Sequence, residues 1–194
     1  MVASAGMIDR DAAPVVPDRS SDGLGSVFLA ARAGDDGAFG ELYHRFARVV
    51  HGIALSQVGP GDAEDAAQEA FVAVHRGLAG VRDAKALPAW ICTIARNTAL
   101  DHLRRRVRRP ARTGLPELAG PPERGSDTEL RERVVARIRE LPEAYRETLV
   151  LRLLEGLGGP EIAERTGLTP ASVRVNLTRG MAMLRPKLEE EGWP

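Results

Sequence analysis

The residues whose types and spacing offer the most specific chemistry lie between Gly159 and Leu177, in the run Gly-Pro-Glu-Ile-Ala-Glu-Arg-Thr-Gly-Leu-Thr-Pro-Ala-Ser-Val-Arg-Val-Asn-Leu. Pro160 suits the first position of a helix, because the N–H it lacks would go unpaired there anyway. That helix buries Ile162 and Ala163. Gly167 supplies the backbone freedom of a tight turn. Thr169 then offers a side-chain oxygen to cap the next helix, with Pro170 in its first position. Val173, Leu177 and Leu184 fall on one buried face, which turns Ser172, Arg174, Val175, Thr178 and Arg179 outward. Arginine pairs with guanine edges or holds phosphates, hydroxyls bond either, and Val175 suits a thymine methyl. A short helix, a glycine turn and a second helix presenting its N-terminal half is the helix-turn-helix pattern. The competing readings are a plain helical hairpin and a solvated face with two ordinary arginines; the turn pattern favours the helix-turn-helix over both.

A second concentration of chemistry runs from Arg104 to Arg112, which holds six arginines and no acid. Such a run meeting a helix can track phosphates, with an attraction that weakens steeply in salt; its bland alternative is a solvated charge run beside a linker. Acids gather instead at the N-terminus, from Asp62 to Asp65 and at Glu189 to Glu191, so a net charge of zero conceals a dipole. Neutrality itself argues weakly against bulk electrostatic gripping of nucleic acid. Of 27 basic residues only Lys85 and Lys187 are lysines, which a GC-rich genome would also produce.

Enzymatic constellations are missing. His44, His51, His75 and His102 lack zinc-site spacing, and there is neither a phosphate loop nor a nucleophile elbow. Asp101 and His102 point to different helix faces, and Gly158-Gly159-Pro160 is a helix break. The single Cys92 excludes an intramolecular disulfide and a cysteine metal cluster, and its apolar setting suggests a buried, inert thiol. No cofactor or metal is expected. No apolar run reaches the roughly 18 residues of a membrane span, and the N-terminus lacks a basic segment followed by an apolar core. We therefore expect a cytoplasmic chain without membrane insertion.

The elements that must carry these residues are helices. Residues 1–24 mix Ala, Pro, Asp, Ser and Gly without periodicity and read as a flexible tail. Phe39, Leu42, Tyr43, Phe46, Val49, Val50 and Ile53 form one helical stripe, capped by Asp35 or Asp36 and stopped by Gly59-Pro60-Gly61. A second helix opens at Asp62, with Asp65 in a capping-box arrangement, and buries Ala66, Ala67, Ala70, Phe71 and Val74. After the loop from Gly77 to Leu87, a third begins at Pro88 and turns Trp90, Ile91, Ile94, Ala95, Thr98 and Leu103 inward. Trp90 lies in that apolar stripe, which favours core over base stacking. Four prolines and three glycines between Pro110 and Asp127 mark a linker. Beyond it, Leu130, Val134, Val135 and Ile138 form one helix, and Tyr145, Leu149, Val150, Leu153 and Leu154 another. The expected fold is all-α, two small helical domains at 25–108 and 128–190 joined by a flexible linker at 109–127.

Two motif sets in this order resemble the extracytoplasmic-function sigma factors of bacterial RNA polymerase, over roughly Val27 to Lys187. Asp62-Ala-Glu-Asp-Ala-Ala-Gln-Glu-Ala-Phe and Trp90-Ile-Cys-Thr-Ile-Ala-Arg-Asn-Thr-Ala-Leu-Asp-His-Leu-Arg-Arg-Arg resemble sigma domain two. Leu141-Pro-Glu-Ala-Tyr-Arg-Glu-Thr-Leu and the helix-turn-helix resemble sigma domain four. The resemblance implies a sigma factor that binds core RNA polymerase and directs transcription initiation in a stress or envelope response, with an anti-sigma factor as a further partner. It implies that Asp65, Gln68 and Glu69 contact the polymerase clamp helices, although a capping role for Asp65 and a solvated face for the other two remain open. It assigns the −10 element to Arg82, Lys85, Arg96, Asn97, Arg104 and Arg105, and the −35 element to the outward face from Ser172 to Arg179. Asn176 and Thr178 depart from the commoner family pattern, which implies a weaker phosphate grip by the second domain. Linking two weak modules raises their effective concentration, so the free chain is expected to bind promoter DNA poorly. A conventional homodimeric regulator is the alternative.

Overall fold

The structure, a computed structural model, describes residues 23–108 and 126–190, without side-chain detail at 107–108 and 126–128. Eight α-helices run through the described residues: α1 (Leu24–Arg32), α2 (Asp36–Val58), α3 (Ala63–Gly77), α4 (Leu87–Arg108), α5 (Ser126–Arg139), α6 (Glu143–Leu153), α7 (Gly159–Thr166) and α8 (Pro170–Glu189). No strand occurs among them. Nearly all of the expected tail and linker lies outside the described residues, except that Leu24 already opens α1 and α5 starts at Ser126.

Local signals place most helix ends. The Asp35 carboxylate accepts from the Ala38 N–H at 2.9 Å, fixing the start of α2, and Gly59 ends that helix with φ +84°. The capping box expected at Asp62 and Asp65 does not form: the Asp62 side chain makes no cap bond and pairs instead with Arg106 of α4. The Asp62 backbone lies at φ −119° and ψ 0°, not in the extended conformation that aims a capping side chain at the first N–H groups. Asp65, exposed in the first turn of α3, still complements the helix dipole.

Helices α1 to α4 pack as one unit around α2, and α5 to α8 as another in which α6 lies against α8. Gly180 of α8 permits that close approach: a Cβ there would sit 2.9 Å from Leu149 Cδ1 and 3.2 Å from Tyr145 Cβ. The two units also share a face. Helix α2 packs on α5, α6 and α7, and α4 packs on α7. Accordingly α2 is buried far beyond its apolar stripe, at Arg45, Gly52, Ala54, Ser56 and Gln57 as well. Two expectations shift for this reason. Leu151, absent from the expected stripe of α6, is fully buried against Gly52, whereas Leu153 faces outward. Tyr43 and Leu130 are likewise more exposed than their stripes suggest.

Candidate nucleic-acid interface

The turn between α7 and α8 has the geometry its sequence requires. Gly167 adopts φ +74°, a left-handed conformation that costs any residue with a Cβ roughly 1–2 kcal/mol. The Thr169 hydroxyl accepts from the Ser172 N–H at 3.1 Å, and the two hydroxyls lie 2.8 Å apart. Pro170 occupies the first turn of α8. Val173 and Leu184 are buried and Leu177 is half-buried, so Ser172, Arg174, Val175, Thr178 and Arg179 all face solvent. Arg174 and Arg179 carry no ion pair among the described residues, so their donors remain available for a ligand. Ser172 is partly engaged in the cap. Asn176 is half-buried and turns toward the first unit, lining a cleft with Arg96 and Glu147.

In the first unit, Arg82 and Lys85 sit exposed on the connection between α3 and α4, where Asp83 caps a short 3-10 turn by accepting from the Lys85 N–H at 2.9 Å. On α4, Asn97, Arg104 and Arg105 are exposed. Arg104 pairs with Asp101 at 3.0 Å, and Arg105 pairs with Glu69 of α3. Arg96 does not share that exposure. Its Nε donates to Glu147 Oε2 of α6 at 2.7 Å and its Nη2 to Oε1 at 3.4 Å. Burial works against the Arg96 charge, but the Glu147 hydrogen bond and charge more than offset it, and the guanidinium pKa rises further. The structure therefore brings five of the six expected −10 residues to the surface and ties the sixth to the other unit.

Asp65, Gln68 and Glu69 line a groove of about 590 Å³ between α3 and α4, with Val72, Arg76, Asp101 and Arg105. Its α3 side carries Asp65, Gln68, Glu69 and Arg76, and Glu69 is paired across the groove with Arg105. Half-exposed Val72 and the neighbouring Phe71 and Phe39 add an apolar flank. Trp90 packs against the end of α3, where a Cβ on Gly77 would sit 2.9 Å from its ring, so it serves the core. Cys92 is buried as expected, and burial pushes its thiol up to about 12. Its surroundings were not foreseen: the Sγ lies 3.5 Å from the Arg165 carbonyl of α7, under the second unit. His102 faces Glu69 and Asp62 of α3, on a different side from Asp101.

Sequence reasoning missed the residues that join the units. His51 Nδ1 lies 2.9 Å from Glu155, Arg45 Nη2 lies 3.3 Å from Glu164, and Arg139 donates to the Gln57 carbonyl at 3.1 Å. The one available signal was Arg45, a charge set among the buried positions of α2.

Comparison with known proteins matches both units. The family model for sigma-70 region 2 matches residues 42–109, and that for sigma-70 region 4 matches residues 131–184. The ECF RNA polymerase sigma-E factor of Haemophilus influenzae is 30% identical over 170 residues, covering 80% of this chain and 90% of that protein. The ECF RNA polymerase sigma-E factor of Escherichia coli K12 is 31% identical over 170 residues, covering 80% and 89%. In fold, the chain resembles CnrH as solved in complex with the cytosolic domain of CnrY, with a TM-score of 0.61 at 24% identity, covering 87% of this chain and 99% of that one. With both regions matched in order, and relatives aligned over most of their length, the chain belongs to the extracytoplasmic-function sigma factors.

Proposed function

We propose that this chain binds core RNA polymerase in the cytoplasm through Asp65, Gln68 and Glu69 and places two DNA-reading surfaces on one promoter. Arg82, Lys85, Arg96, Asn97, Arg104 and Arg105 take the −10 element, in the unit spanning 25–108. Ser172, Arg174, Val175, Thr178 and Arg179 take the −35 element, in the unit spanning 128–190. The observation that carries this reading is the N-terminal face of α8, where all five side chains stand exposed directly after a capped glycine turn. Membership of the family makes the role regulatory, not catalytic: the bond-forming chemistry belongs to the polymerase. An anti-sigma factor is the expected restraining partner, and no helix among the described residues is long and apolar enough to cross a membrane.

The test is reconstitution with core polymerase and transcription from genomic fragments. A Gln68→Ala and Glu69→Ala double variant should lose roughly tenfold in core affinity, about 1.4 kcal/mol, while the isolated second unit's face stays intact. Arg174→Ala should leave core affinity unchanged and lower initiation by roughly tenfold or more, since one base-reading arginine contributes about 1–3 kcal/mol. Loss of core binding in Arg174→Ala, or none in the α3 variant, would contradict the assignment.

A further inference from the structure

His102 lies between α3 and α4 with a carboxylate on either side of its ring, and its side chain is only 17% exposed. Nδ1 is 3.4 Å from Glu69 Oε1, and Nε2 is 3.9 Å from Asp62 Oδ1. Asp62 stands at the head of α3 and Glu69 about two turns further on, so both face α4. An ionised carboxylate only accepts, so the ring that bonds Glu69 carries a proton on Nδ1.

Helix α4 thus takes both oxygens of Glu69: Oε1 through His102 and Oε2 through Arg105. The two donors differ in what else they can hold. Arg105 is 59% exposed and belongs to the −10 set, so a phosphate competes with Glu69 for it. An exposed ion pair contributes little enough for that exchange to occur. His102 belongs to neither the DNA set nor the polymerase set. Asp62 stands behind its ring and is itself held by Arg106.

We propose that His102 is a positioning residue for core polymerase. It keeps the Glu69 carboxylate aimed into the groove between α3 and α4 when Arg105 leaves for DNA. This role rests on Glu69 as a core-binding residue and adds the side chain that fixes it. A loose glutamate gives up several rotamers on binding, whereas one already held has little left to lose. His102 touches neither partner and acts through Glu69 alone.

The experiment titrates core polymerase with the full chain as wild type, His102→Leu, His102→Asn, His102→Gln, Glu69→Ala and the combined His102→Leu and Glu69→Ala variant. Leucine keeps the bulk of the ring and removes its donor. Asparagine carries an amide N–H as many bonds from the backbone as Nδ1, within reach of Glu69; that of glutamine lies one bond further out. Circular dichroism and the denaturation midpoint separate loss of fold from loss of aim. Expected is a roughly three- to tenfold weaker affinity in His102→Leu, the effect of ordering one side chain. His102→Asn should restore most of it and His102→Gln should not, a comparison that decides the matter even if His102→Leu fails to fold. Adding His102→Leu to Glu69→Ala should cause no further loss. In run-off transcription His102→Leu should reach the wild-type plateau at a higher half-saturating concentration. Unchanged affinity in His102→Leu, equal affinities in His102→Asn and His102→Gln, or a full additional loss in the Glu69→Ala background would overturn the role. If Glu69→Ala alone binds core polymerase as the wild type does, the functional reading of α3 fails instead, and the positioning role falls with it.

Discussion

Arg96 has two competing claims on it, a carboxylate in its own chain and a phosphate outside it. The Glu147 pair is two-thirds or more buried at both side chains, 32% and 12% exposed, so salt screens it less than it screens DNA contacts at the open surface. Arg104 and Arg105 are paired too, but with exposed acids whose bonds contribute at most about 1 kcal/mol and give way to a phosphate. Arg96→Ala should therefore weaken promoter opening by the holoenzyme, readable in a transcription assay, and remove the Glu147 pair that joins the two units. His51 offers a second handle. The Glu155 hydrogen bond raises its pKa above the ordinary 6.5, against burial, which lowers it; Glu64 adds to the rise and Arg131 subtracts from it. A group whose pKa is raised in the folded state stabilises fully below its unfolded pKa, and that contribution drains away as pH climbs through the raised value. The contact between the two units should thus loosen as pH climbs above the ordinary histidine value of about 6.5, seen as a growing radius of gyration. His51→Gln should flatten that dependence, and compaction with rising pH would contradict it. Cys92, buried with its thiol pushed up to about 12, should resist alkylating reagents in the folded chain.

Among the elements, the turn from α7 to α8 is the one whose sequence and geometry agree at every position. Thr169→Ala removes the cap of α8 and should cost about 1 kcal/mol of stability, measured as a lower denaturation midpoint. Gly167→Ala should cost more, because the left-handed strain adds to a collision with Ala89. This turn was legible because each signal in it is local: a proline, a cap and a glycine act within a few residues. The same holds for Asp35 at the head of α2 and for the breaks at Gly59 and Gly158. What sequence could not convey was which second face of a helix is covered. The periodicity of α2 marks one stripe, and nothing in it says that Gly52 and Gln57 will also be buried under α5 to α7. Leu151 and Leu153 are two leucines on different faces of α6, and choosing the buried one requires knowing that α2 lies across it. Asp62 illustrates the converse: its local capping pattern was readable, but Arg106, 44 residues away, took the carboxylate. The set from Ser172 to Arg179 is exposed because the opposite side of α8 meets α5, α6 and α7.

At the scale of the whole molecule, a formal charge of zero fits a protein that does not find DNA by bulk attraction. Affinity for a promoter then has to come from holding two modest surfaces at a fixed separation, which a large partner does by raising their effective concentration. Added salt should weaken promoter binding by the holoenzyme with a modest slope for the α8 face, where two arginines are the exposed cations. Spacing should matter more than charge: inserting about five base pairs, half a helical turn, between the two elements should abolish initiation while leaving each element intact. The most direct measurement is run-off transcription with core polymerase on a genomic fragment, with the chain present or omitted and the element spacing varied. A start site that requires both chain and core, and disappears when the spacing changes, is the result expected. Tight, sequence-specific DNA binding by the chain alone, indifferent to core polymerase and to spacing, would contradict it.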